Sequence, residues 1–224
     1  MAAIDIFKAK DAYALIASGN APQGMQVAGV LDYSAKSMRT VPRSFPMGLQ
    51  AEVLDLSGRE DFSLASGLRC YELNLSRTNV RRLPDDLRVE ARIDLTGCDR
   101  LEELPSGLTT GTLILRGCTG LQSLPEGLDV WFLDLTGCWA FENWPRQMMI
   151  RGGQLQLRGC TALRSLPAGL KRLSALNLRE CPNVAALPAD LIITGWIDVG
   201  HSGLTEESQL PESLARTQLR WAGM

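Results

Sequence analysis

The sequence predicts an α/β solenoid: a right-handed horseshoe of short repeats with a parallel β-sheet on its concave side, a mostly extended, polyproline-like convex side and a short N-terminal helical cap. Three observations predict it. From Leu54 onwards a unit reading L-x-L-x-x-C-x-x-L-x-x-L-P-x-x-L recurs every 19 to 22 residues, and self-similarity at a short fixed period marks a stack of like supersecondary units. Each unit holds one L-x-L, whose two apolar side chains face the same way because side chains along a strand alternate. Each unit is also too short for a three-turn helix beside a strand and two bends, since a helix advances only ~1.5 Å per residue.

Residues 1–30 lie outside the repeat. Ile4, Phe7, Tyr13, Leu15 and Ile16 form a helical apolar stripe that stops at Ser18-Gly19-Asn20, residue types that end helices. Such a helix would cap the open end of the solenoid, where an uncovered first unit exposes leucines and a strand edge; a docking motif for a partner is the alternative. A degenerate unit follows at Leu31, Tyr33, Met38, Val41, Pro42 and Phe45. Later units start at Leu54, Leu73, Ile93, Leu113, Leu133, Leu155, Leu176 and Ile197, so about nine units fill residues 31–219. The Leu-Pro pair of each unit carries the chain along the convex side, because proline fixes its φ and holds the preceding residue extended. Residues 220–224 form a C-terminal tail, with Leu210-Pro211-Glu212-Ser213-Leu214 and Trp221 expected over the last core layer. No single unit buries its leucines alone, whereas stacked neighbours do, each large apolar side chain contributing roughly 1.5–3 kcal/mol.

Cys98, Cys118, Cys138, Cys160 and Cys181 occupy one position in five consecutive units. They predict an internal ladder of free thiols about one strand spacing, ~4.8 Å, apart, with disulfides or a soft-metal chain as alternatives. Unpaired cysteines in such number point to a reducing compartment. Thr78, Ser202 and Arg59 fill the position in other units. Cys70 is placed outside the ladder, just before a strand.

The segments Asn74-Leu75-Ser76, Asp94-Leu95-Thr96-Gly97-Cys98 and Leu124-Pro125-Glu126-Gly127-Leu128 resemble bacterial leucine-rich repeat proteins of the short Leu-Pro class, whose best-known members are type III secreted effectors. The repeat phrasing is also similar to that of plant immune receptors, whose units are longer. The resemblance spans the repeats, residues 31–219, and implies a leucine-rich repeat scaffold that binds proteins; it does not name a partner, because function resides in sites and not in a shared scaffold. Some effectors of this class carry a ubiquitin-ligase domain after the repeats. After Leu219-Arg220-Trp221-Ala222-Gly223-Met224 this sequence leaves no room for one, so a substrate-recruiting portion of a longer architecture is an alternative reading.

Composition fits an ordered domain: 224 residues, 45% hydrophobic, formal net charge −2. With a pI near 5.5 and no basic run, nucleic acid is not an expected partner. No stretch reaches 18 apolar residues, so no membrane helix is expected. Met1 to Lys10 lacks a signal-peptide pattern, so a cytoplasmic protein is expected, with secretion into a host cell cytosol as the alternative. Basic residues are mostly arginine, with lysine only at positions 8, 10, 36 and 171.

Outward positions of the sheet are the residue before, between and after the two leucines of each L-x-L. The middle column reads Asp55, Asn74, Asp94, Ile114, Asp134, Gln156, Asn177 and Asp198, and the next column carries Arg116, Arg158 and Arg179. Arg116 sits diagonally beside Asp94 and Asp134, within reach of cross-strand pairing. Phe132 and Trp196 stand in the first column, and aromatic and arginine side chains dominate interface energetics. The candidate partner-binding set is therefore Arg116, Phe132, Asp134, Gln154, Gln156, Arg158, Arg179 and Trp196, against a solvated face with balanced charges. The unit from Leu133 to Gln154 is irregular: Trp144 replaces the Leu before Pro, Trp139 is expected at the surface, and two extra residues with Gly152-Gly153 predict a bulge.

Catalysis finds no support in the sequence. The single histidine, His201, falls in a turn of the last unit, Cys98 sits at the inward ladder position where thiols are inert, and no phosphate-binding loop, metal spacing or serine elbow occurs. No cofactor or metal is expected. A monomer is expected, with a self-associating structural protein as the third reading.

Overall fold

The structure, a computed structural model, describes residues 5–37, 39–167, 169–204, 210–211, 214 and 218–220, the last three by their backbone alone. Strands β1 Ile6–Lys8, β2 Gln26–Asp32, β3 Gln50–Asp55, β4 Arg69–Asn74, β5 Arg88–Asp94, β6 Thr109–Ile114, β7 Leu128–Asp134, β8 Met148–Gln156, β9 Arg172–Asn177, β10 Ile192–Asp198 and β11 Gln218–Arg220 form one sheet in chain order. Every neighbouring pair is parallel. The chain is a leucine-rich repeat solenoid, and β2 to β10 carry the L-x-L units identified by the period. Met38 of the first unit, Ile4 and Trp221 fall outside the described residues.

Both apolar residues of every L-x-L are buried, from Leu31 and Tyr33 to Ile197 and Val199. Leu101, Leu121, Phe141, Leu163 and Val184 turn inward on the arc after the sheet. On the convex side the N–H groups of Leu49, Leu87, Leu170 and Leu191 donate to the carbonyl oxygen of the proline three residues earlier at 3.0–3.2 Å, closing turns that send the chain into the next strand. The α-helix among the described residues is the cap, α1 Ala9–Ala17, and a 3₁₀ turn covers Ala35–Ser37. Trp144 is half-buried on the convex arc as a core substitution, its ring edge-on to Phe141 at 4.9 Å and its Nε1–H donating to the Ser165 carbonyl at 2.8 Å.

Helix α1 ends where Ser18 and Gly19 predict: the Ser18 N–H donates to Ala14 O at 3.1 Å, and Gly19 takes φ 73°. Ala12 and Ile16 enter the core, and Tyr13 Oη accepts the Asp32 N–H at 2.6 Å. The apolar stripe does not extend through Phe7 as helix. Ile6–Lys8 instead pair with Gln26–Ala28 as an added edge strand, because the backbone of β2 offers bonds that a short helical turn would leave unmade.

The five ladder cysteines are buried and free. Each thiol donates to a leucine carbonyl of the preceding unit, Cys98 to Leu75, Cys118 to Leu95, Cys138 to Leu115, Cys160 to Leu135 and Cys181 to Leu157, at 3.0–3.2 Å. The Leu95, Leu115, Leu135 and Leu157 carbonyls also accept the N–H of their own unit's cysteine, so each thiol fills the second lone pair of an acceptor already in use. Thr78 begins the ladder by donating to its own Leu75 carbonyl at 2.8 Å, and Ser202 ends it on Val199 at 2.7 Å. Arg59 is explained by the longer first unit: its guanidinium reaches the carbonyls of Tyr33, Ser34 and Arg39 at 2.7–2.9 Å. Cys70 lies inside β4, not ahead of it, as a buried inward residue.

Candidate functional site

The strands are longer than the L-x-L signal, beginning four to seven residues before its first leucine. Along each, an inward residue such as Leu68 or Leu128 is followed by an outward one, a second inward one (Cys70, Val130), and then a short bulge before the leucines. Register shifts fall at this place in β2/β3, β4/β5, β7/β8 and β9/β10. Differences in unit length are absorbed there. The two extra residues of the unit ending at Gln154 lie in β8, where a Cβ on Gly153 would stand 1.5 Å from the Trp131 carbonyl oxygen, so no other residue fits.

This extension adds two outward rows to the sheet, which the sequence reading did not include. The outer row carries Gln50, Arg69, Arg88, Thr109, Asp129 and Met149; the next carries Glu52, Tyr71, Glu90, Gly111, Trp131 and Arg151. All of these but Met149 line a groove of about 1130 Å³ reaching from Ile6 on β1 to Arg151 on β8. Trp131 is 60% exposed and Tyr71 56%. Large aromatics held this open stand out because burial normally removes them from water. Each follows an inward residue of its strand, Cys70 and Val130, by one position, but the bulge between that residue and the leucines shifts the alternation, so the L-x-L phase does not mark them as outward.

The column between the two leucines faces the concave side but serves the fold. The side-chain Oδ1 of Asp32, Asp55, Asn74, Asp94, Asp134, Asn177 and Asp198 accepts the N–H two residues on, at 2.8–3.0 Å. These Asx turns satisfy the donors where each strand ends. Burial raises the Asp94 carboxyl, but the Thr96 hydrogen bonds and the Arg92 guanidinium outweigh it and hold the group below its usual range; the Ser34 hydrogen bonds do so for Asp32. Ile114 and Gln156, which lack a short acceptor, interrupt the series.

The candidate residues from the sequence separate into two groups. Asp134 is fully buried, with Oδ1 on Thr136 and Oδ2 taking the Arg116 Nε–H at 2.5 Å; Asp94 pairs with Arg92 and not with Arg116. Arg158 and Arg179 both reach Glu180, Arg158 at 2.9 Å, and the Arg158 hydrogen bond holds the Glu180 carboxyl low. Phe132, Gln156 and Trp196 are half-buried and Gln154 is exposed. Phe132 and Gln154 are register partners beside Trp131, so this part of the set adjoins the groove. Trp139 is 60% exposed in the turn after β7, away from it.

Burial holds the thiols in their protonated form at neutral pH. Burial pushes Cys70 and Cys138 up to about 12 and Cys181 to about 11, and raises Cys98, Cys118 and Cys160 as well. His201 stands exposed in its turn. No helix of the described residues is long and apolar enough to cross a membrane.

No family model and no curated protein matches the chain. Among solved structures it is similar to the leucine-rich repeat domain of the type III effector XopL, with 22% sequence identity and a TM-score of 0.42 over 95% of this chain and 82% of that one.

Proposed function

We propose that the chain is a protein-recognition module that binds a protein partner with the concave face of its sheet. The observation that carries this reading is the open groove with Trp131 and Tyr71 projecting into it. Rigid aromatic side chains supply much contact area at little entropic cost, and they are the residues whose truncation most weakens interfaces. Phe132, Gln154, Gln156 and Trp196 extend the surface beside Trp131, while Arg116, Arg158 and Arg179 form its charged border, with Asp134 fixing Arg116 from below. The protein acts as a scaffold without catalysis of its own, in a cytosol that keeps its thiols reduced, the producer's or a host's. Recruitment of substrates for a catalytic domain elsewhere in a longer protein would use the same face.

The test is affinity capture from bacterial and host-cell lysates with wild type, Trp131→Ala, Phe132→Ala/Arg158→Ala and the turn variant Trp139→Ala, all shown to fold by circular dichroism. Loss of one partner with both concave variants and its retention with Trp139→Ala supports the reading. A partner indifferent to the concave variants refutes it. Self-association is the second reading, favoured by β1: its outer edge carries no further strand among the described residues, and Ile6 on it is 66% exposed. Light scattering that shows a concentration-dependent oligomer would support it.

A further inference from the structure

Four neighbouring strands place Tyr71, Glu90, Gly111 and Trp131 in one outward row, on β4, β5, β6 and β7 respectively. At ~4.8 Å between strands the two aromatics stand about 14 Å apart along the sheet, with a carboxylate and a glycine between them. Gly111 leaves the floor beside Trp131 open, and the gap is built in: a Cβ there would meet the Ala91 carbonyl oxygen at 2.8 Å. The row is a slot with two aromatic walls and an acid in its floor.

The charges around it are unevenly compensated. Glu52 on β3, Glu72 beside Tyr71 on β4 and Glu90 on β5 surround Tyr71, and none has an ion-pair partner among the described residues. The nearby arginines of the inner rows are engaged elsewhere, Arg92 by Asp94 at 2.8 Å and Arg151 by both carboxylate oxygens of Asp129. Arg69 and Arg88, register partners in the outer row, mark the opposite border and disfavour a second cation there.

We infer that the groove takes an extended segment of a partner protein through a lysine or arginine side chain, lodged between Tyr71 and Trp131 with its cation on Glu90 and in reach of Glu72 and Glu52. The inference rests on the concave-face reading and adds the chemistry of the occupant. Aromatic faces attract cations through their quadrupole, an uncompensated carboxylate supplies the charge-assisted hydrogen bond, and an apolar or acidic side chain would leave three carboxylates unanswered or repelled. Negative residues of the partner would meet Arg69 and Arg88 beside the slot.

The experiment is selection of a displayed library of random dodecapeptides on the whole protein, with counter-selection on Trp131→Ala, followed by titration of enriched peptides. The expected result is that sequences dependent on Trp131 carry a shared Lys or Arg. Their Kd rises about tenfold in Glu90→Gln and in Tyr71→Ala, and more in Glu90→Arg, with affinity falling as salt rises. Trp131-dependent peptides without a required Lys or Arg would overturn the inference and leave the concave-face reading standing. Peptides that bind without need of Trp131 or Tyr71, or no enriched peptide at all, would overturn both. Glu90→Gln changes no packed side chain, so it decides the matter even if Trp131→Ala folds poorly.

Discussion

Single residues divide this surface into those that hold the fold and those that face outward from it. Trp131 stands 60% exposed, so Trp131→Ala is expected to change stability by less than about 0.5 kcal/mol, the range for surface substitutions, while abolishing partner capture; a large loss in thermal midpoint would show that the ring is packed. Arg77, Glu180 and His201 occupy the turn position where Gly58, Gly97, Gly117, Gly137 and Gly159 stand in other units, and all three take a φ of 57–62°. Such a conformation costs a side-chain-bearing residue roughly 1–2 kcal/mol. Arg77→Gly, which loses no ion pair, is therefore expected to raise stability by about 1 kcal/mol, read from urea unfolding. Asp134, expected from the sequence to face a partner, is instead buried beneath Arg116, because the short side chain between the leucines is the one that reaches back to cap its own turn.

The repeated element derives its order from bonds between units. The thiol ladder gives it a pH signature: burial holds its five thiols, and Cys70 apart from them, above the ordinary range of a thiol. A raised pKa in the folded state means full stability below the unfolded value and loss as pH climbs towards the folded one. Between about pH 8.5 and 11 Cys70, Cys138 and Cys181, held at about 12, 12 and 11, are each expected to cost up to ~1.4 kcal/mol per pH unit, so unfolding midpoints in urea should drop over that window. The same thiols should resist iodoacetamide at neutral pH until the protein is denatured; a flat alkaline profile would mean that the ladder is open to solvent. The position of the ladder, the L-x-L phase and the convex turns were legible in the sequence because each follows from a repeated residue. The full strand length was not, since the inward residue ahead of the bulge varies from Cys70 through Val89 and Thr110 to Ile150 and Leu173, and the bulge itself shifts the alternation. Trp131 and Tyr71 were lost with it. The β1 strand was hidden for a related reason, its pairing being with β2 and not within its own apolar stripe.

At the scale of the whole molecule, stability is a sum over stacked units and their interfaces. A charge placed within one layer should therefore unfold its neighbours too. Leu115, fully buried just after β6, becomes an unpaired buried charge in Leu115→Asp, expected to cost at least about 3 kcal/mol, whereas Thr112→Ser on the outward row should stay within about 0.5 kcal/mol. Equal tolerance of both in chemical unfolding would mean that the strand phase is wrong. Outward residues of β1 to β8 line one groove, and the recognition proposed for it rests on that placement more than on any single motif. The most direct measurement is site-specific photocrosslinking in lysate, with a photoreactive residue at Thr112 on the concave sheet and, as control, at Gln122 on the arc after it. The concave site is expected to yield a discrete protein adduct that Trp131→Ala removes. Adducts formed only from position 122, or equally from both, would contradict recognition through the concave face.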